Sequence, residues 1–169
     1  MAAGSTYTPI ATNTFSSNAN SVTFSSISGS YTDLVLICSN LAGSSSQTIY
    51  VQTNSDTGSN YSHIWGNGNG SVAQSGNATN NSQGLVIGGS VAGLPSTITA
   101  MGYLHIQNYA NTTTYKTGLS RYSAANAETQ YGVSLWRNTS AITSLKVYAS
   151  SGANILAGAM FTLYGITAA

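Results

Sequence analysis

The sequence predicts an all-β chain, a sandwich or barrel, and three observations predict it. Charged residues make up only 4% of the 169 positions, where ordinary domains carry about 25%. Helix surfaces depend on Lys, Glu, Arg and Gln, whereas the Thr, Tyr, Val and Ile abundant here are strand formers. Short runs of those residues recur between Gly/Asn/Ser clusters, which is the rhythm of many short strands and turns. The third observation is an absence: no apolar stripe of period 3.6 exceeds two turns.

Taken in chain order, the runs are Tyr7–Thr14, Ser21–Ile27, Leu34–Ser39, Thr48–Thr53, Tyr61–Trp65, Gln83–Ile87, Ile98–Tyr109, Tyr115–Tyr122, Gln130–Arg137, Ile142–Ser150 and Ala159–Ile166. Alternation selects the inward side chains: Val22 and Phe24, Ile49 and Val51 (with Tyr50 opposite), Leu104 and Ile106 (with Tyr103, His105 and Gln107 opposite), and Leu145 and Val147 (with Lys146 and Tyr148 opposite). "LVLIC", Leu34–Cys38, is apolar on both faces. Such a strand is covered on both sides, and the expected second cover is another subunit. Asn67–Ser82 (NGNGSVAQSGNATNNS) is small and polar throughout and is expected to be an exposed loop. "SAANAET", Ser123–Thr129, reads as a loop, with room for one helical turn as the alternative. A chain of this length predicts one domain with one core, here an arm over residues 1–6 and a β-sandwich over residues 7–169.

Composition limits the partners. The formal charge is +1, and Lys116, Arg121, Arg137 and Lys146 are scattered, so phosphate neutralisation gives no support for nucleic-acid binding. Met1–Tyr7 has neither the cationic nor the apolar region of a signal peptide, and no apolar run reaches membrane-spanning length, so no membrane partner is expected. The single cysteine, Cys38, is expected to be a small buried hydrophobe. His63 and His105 with that cysteine make no metal-ligand spacing, and no metal or cofactor is expected. Eleven tyrosines and two tryptophans are expected in the core, at strand edges and in subunit contacts, with sugar stacking as the alternative.

"NSDTGSNYSHIW", Asn54–Trp65, spells the Asp-Thr-Gly turn of aspartic proteases. Those enzymes need two aspartates sharing a proton at the ends of buried strands. Only Asp33, Asp56 and Glu128 are present, so a retropepsin-like reading through Asp56-Thr57-Gly58 needs two copies of the chain. Thr53, Asn54 and Ser55 give Asp56 a polar lead-in. The residues therefore predict a solvated turn with an ordinary carboxylate pKa and assign no catalytic residue. The chain also lacks a G-x-S-x-G elbow and a phosphate-binding glycine loop. No enzyme is expected.

Four segments, in this order, carry a family resemblance: "SVTFSSISGSYTDLVLICS" (Ser21–Ser39), "DTGSNYSHIWGNG" (Asp56–Gly68), "LHIQNYANTTTYKTGLSRY" (Leu104–Tyr122) and "LWRNTSAITSLKVYASSGANILAGAMFTLYGI" (Leu135–Ile166). From about Tyr7 to Ile166 the chain resembles small β-sandwich virion proteins of tailed bacteriophages. The resemblance implies an antiparallel jelly-roll-like sandwich on the capsid surface, made in the host cytoplasm. It makes Asp56 part of a structural turn. It leaves the place on the virion open, and the first expectation is a capsid decoration (cement) protein partnered by the major capsid protein and by itself as a homotrimer. The alternative is a tail or head fibre tip that binds a host surface glycan. The first strand starts almost at once, without a preceding stalk, and this favours decoration. Exposed strand tyrosines and the N-terminal arm are the expected contacts.

Overall fold

The computed structural model describes residues 6–97, 99–125 and 127–167; of the expected arm, residues 1–6, only Thr6 is among them, and Met1–Ser5 lie outside the described residues. Twelve strands occur among them: β1 (Tyr7–Thr14), β2 (Ser21–Phe24), β3 (Asp33–Leu41), β4 (Ile49–Thr53), β5 (Tyr61–Gly68), β6 (Ala73–Asn81), β7 (Leu85–Gly88), β8 (Ala100–Ile106), β9 (Lys116–Ala124), β10 (Glu128–Trp136), β11 (Leu145–Ala149) and β12 (Met160–Ile166). A 3-10 turn at Ser150–Gly152 is the helical element among the described residues. The predicted antiparallel sandwich is present, with unequal layers. The larger sheet has eight strands in the order β1-β12-β3-β8-β9-β10-β5-β6, and the smaller has four in the order β2-β11-β4-β7.

The core lies between the layers, and the expected inward residues fill it. Val22 and Phe24, Ile49 and Val51, Leu104 and Ile106, and Leu145 and Val147 are all buried. Cys38 is fully buried among them, and that burial pushes its thiol pKa far up, so the thiol is an inert packing group. Two expectations are corrected. Part of the stretch Asn67–Ser82, expected as a loop, is β6, an edge strand paired to β5. Its side chains are mostly exposed. An edge strand beyond the smaller sheet has no core face to fill, so it shows no apolar alternation. The outward side of "LVLIC" was expected to need a neighbouring subunit. Val35 is already fully buried within one chain, between Tyr164 of β12 and His105 of β8.

The small strand β7 shapes the rest. It lies across the inner surface of the larger sheet, where Gly102, Gly118 and Gly132 face it. A Cβ at Gly102 would come within 2.6 Å of Ile87, and one at Gly132 within 3.3 Å of Val86. Ser134 Oγ accepts the Val86 backbone N–H at 3.0 Å, so a side chain of the larger sheet satisfies the free edge of the smaller one. Glycine and serine therefore occupy inward positions on β9 and β10, where apolar residues normally sit.

Candidate functional site

Asp56, the residue that raised the catalytic question, follows β4 in a tight turn. Asn54 and Ser55 are left-handed, with φ of 51° and 56°. Asp56 Oδ1 accepts the Gly58 N–H at 2.8 Å, and Oδ2 accepts Asn60 Nδ2 at 2.9 Å and Trp136 Nε1 at 2.7 Å. Burial pushes the Asp56 pKa up, but the bonds from Trp136, Asn60 and Gly58 outweigh it and hold the carboxyl below its usual range. The expected ordinary pKa is therefore corrected: the lead-in is polar, but the carboxylate is caught by donors from its own turn and from β10. Trp136 is buried and stacks on Tyr61 with centroids 6.5 Å apart. The Tyr61 hydroxyl donates to the Asp56 carbonyl at 3.1 Å and accepts the Thr53 N–H at 3.1 Å. Asp56 thus ties the β4–β5 connection to the end of β10.

The remaining titratable groups are on other elements. Asp33, on β3, is bound by His105 Nε2 at 2.8 Å and by the Asn108 N–H at 2.8 Å. Glu128 starts β10, is buried, and accepts Asn67 Nδ2 at 2.6 Å. His63 is buried on β5, and burial lowers its pKa. Among the described residues no group of three or more His, Cys, Asp and Glu could hold a metal ion. No helix there is long and apolar enough to cross a membrane.

The unusual chemistry is on the outward face of the larger sheet. On β9 and β10 the inward residues are Lys116, Gly118, Ser120, Tyr122 and Ala124, then Glu128, Gln130, Gly132, Ser134 and Trp136. Leu119, Tyr131 and Val133 face solvent. In an ordinary one-sided sheet the polar residues face water; here polar residues occupy several inward positions and apolar ones several outward positions. The close approach of β7 accounts for the glycines at 118 and 132; nothing local requires the outward residues to be apolar.

Strand register lines the outward side chains into transverse rows. One row runs Ile37, Tyr103, Arg121, Tyr131 and Gly66, each paired directly with the next. A second runs Val35, His105, Leu119, Val133 and Ile64 in the same way. In the first row, the Arg121 guanidinium carbon is 4.8 Å from the Tyr103 ring centre. The Tyr131 ring covers Gly66, where a Cβ would come within 2.6 Å of it, yet Tyr131 stays 67% exposed. A shallow groove of about 510 Å³ follows this row and is lined also by Met101, Ser123 and Thr129. A depression of about 460 Å³ accompanies the second row, lined by Ile64, Val133, Leu135 and Ala78 among others.

No known protein family, curated protein or solved structure matches this chain. The functional reading rests on the chain's own chemistry. The apolar end of the second row, Leu119, Val133 and Ile64, suits contact with another protein, and a cation over the Tyr103 ring, with Tyr131 as its other cross-strand neighbour, suits a small anionic group. Sequence reasoning expected contacts from exposed strand tyrosines, and Tyr131 is one. It did not single out Arg121, Leu119, Val133 or Ile64. The available signal was "QYGVSL", in which glycine and serine alternate with larger apolar residues.

Proposed function

We propose that this chain is a structural protein of a tailed-bacteriophage virion: a capsid decoration protein that seats on the shell and holds neighbouring major capsid subunits together, acting as a homotrimer. The observation that carries the reading is the outward row Leu119–Val133–Ile64, whose members are 40%, 38% and 60% exposed on a broad sheet. Exposed apolar side chains gathered on one face mark interaction surfaces, and depletion of charge is typical of the core of such contacts. A decoration protein binds at many copies on a symmetric lattice, so a modest contact per copy suffices. No reaction is assigned. The hydrogen-bonded state of Asp56 supports a structural turn, because both of its oxygens already accept N–H donors, from Gly58 on one and from Asn60 and Trp136 on the other.

The test is add-back of purified protein to shells that lack it. The wild-type protein is expected to bind and to raise the temperature at which the shells disrupt. The double variant Ile64→Ser with Val133→Ser is expected to lose both effects while keeping its fold. Binding to host cells without binding to shells would replace decoration with the fibre-tip reading.

A further inference from the structure

We propose that the groove across β8, β9 and β10 is a binding site for an acidic saccharide, with Arg121 receiving the sugar carboxylate and Tyr131 stacking on the sugar ring. The inference does not depend on where the chain sits on a virion.

The charge inventory supports the assignment of Arg121. The chain has four Lys and Arg residues; two are engaged by hydrogen bonds, and a third is on the other sheet. Lys116 is buried, and its Nζ donates to the Thr114 and Thr139 carbonyls at 2.8 and 3.1 Å. Arg137 bonds to Ser62 Oγ, the Ser59 carbonyl and Asn80 Oδ1. Lys146 is on the smaller sheet, over the Tyr148 ring at 5.6 Å. Arg121 lies in the groove, and the described residues give its guanidinium neither a side-chain hydrogen bond nor an ion pair; it lies over the Tyr103 ring. That contact holds the guanidinium beside Tyr103 and leaves its N–H donors free, and a free guanidinium fork can grip a carboxylate through two parallel bonds. The carboxylate of this face, Asp33, is tied to His105 and Asn108 and does not neutralise Arg121.

The neighbours of Arg121 suit a sugar more than a bare anion. Tyr131 and Tyr103 flank it as direct cross-strand partners. With one side of its ring on Gly66 and most of its surface open, Tyr131 offers a flat platform at low entropic cost. The next row contributes the hydroxyls of Ser123 and Thr129, which can exchange hydrogen bonds with ring hydroxyls, and both line the groove. The groove volume of about 510 Å³ lies within the range of small-ligand sites. One guanidinium neutralises one charge, so a nucleic-acid backbone, which needs several cations in register, does not fit.

The experiment titrates the whole protein, by calorimetry and by amide chemical shifts, with trigalacturonate and with sialyllactose. The controls are the methyl ester of trigalacturonate, and lactose, which keep the sugar and remove the charge. Binding of at least one acid is expected, with its neutral counterpart about tenfold weaker or worse and with affinity falling as salt rises. Arg121→Gln and Tyr131→Ala are each expected to weaken binding about tenfold or more with unchanged melting. Arg121→Lys is expected to recover only part of it, because the charge returns without the fork. Ile64→Ser with Val133→Ser is expected to leave saccharide binding unchanged, which separates this site from shell contact. Failure of both acids to bind, equal binding of acid and ester, or indifference to Arg121→Gln overturns the proposal. So does a change in oligomeric state caused by Arg121→Gln, which would assign the row to a contact between copies.

Discussion

Asp56 shows at the scale of one residue how a suggestive motif serves structure. Its two oxygens take donors from Gly58, Asn60 and Trp136, so replacement by Asn keeps one acceptor and turns an amide group toward existing donors. Asp56→Asn is expected to cost about 1–2 kcal/mol in denaturant unfolding and to leave shell binding intact. Loss of a peptide-cleaving activity in that variant would instead restore the protease reading. The pH dependence follows from the lowered folded pKa. The stabilisation is fully present above the unfolded value of about 3.9 and is lost as pH falls through the folded value, so the variant should have a shallower acid limb than the wild type. His63 acts in the same direction at milder pH. Its folded pKa is lowered by burial, so the unfolded chain binds a proton first, and stability should begin to fall as pH drops below about 6.5. Unfolding of wild type and His63→Gln across pH 5 to 8, a span bracketing that value, checks this: the slope should be smaller in the variant.

Among the elements, β7 has the widest influence. Its four residues, Leu85–Gly88, are all buried, and the glycines of β8, β9 and β10 make room for them. Gly102→Val places a Cβ within 2.6 Å of Ile87 Cγ2, a side chain that is fully buried and cannot swing into solvent. The expected cost is about 1–3 kcal/mol from overpacking, seen as a lower melting temperature, with Gly102→Ala milder. Ser134→Ala removes the acceptor of the buried Val86 N–H and should cost about 1–3 kcal/mol for the unsatisfied donor. The edges behave differently. β1 carries Pro9 beside a register shift, as an edge strand tolerates, and β6 is almost wholly polar. Both edges are poor templates for pairing with another sheet, so contacts between molecules fall to the broad face.

The whole molecule presents that face across eight strands. Strands about 4.8 Å apart and some 20 Å long make a surface of roughly 700 Å², close to the roughly 800 Å² per partner of a standard stable interface. If free protein forms the proposed homotrimer, native mass spectrometry at micromolar concentration should record three chains. A wild-type monomer would confine trimerisation to the shell. A two-fold dimer that brings together two Asp56 residues would favour the retropepsin-like alternative.

Low charge, the strand-and-turn rhythm and simple alternation determined the all-β class and the inward residues of β2, β4, β8 and β11, because each of those strands buries one face against the opposite sheet. The Asp-Thr-Gly turn was also legible as a turn, since its hydrogen bonds to Gly58 and Asn60 are local in the chain. Tertiary structure decided what depends on distant partners. β6 exists because β5 supplies its hydrogen bonds, and hydrogen bonding to a neighbour leaves no apolar signature in the strand itself. The cover over Val35, and the Trp136 bond that helps lower the Asp56 pKa, come from strands far along the sequence. The mixed faces of β9 and β10 are of the same kind: Gly118 and Gly132 are small because β7 crosses there, and Leu119, Arg121, Tyr131 and Val133 form the outward surface.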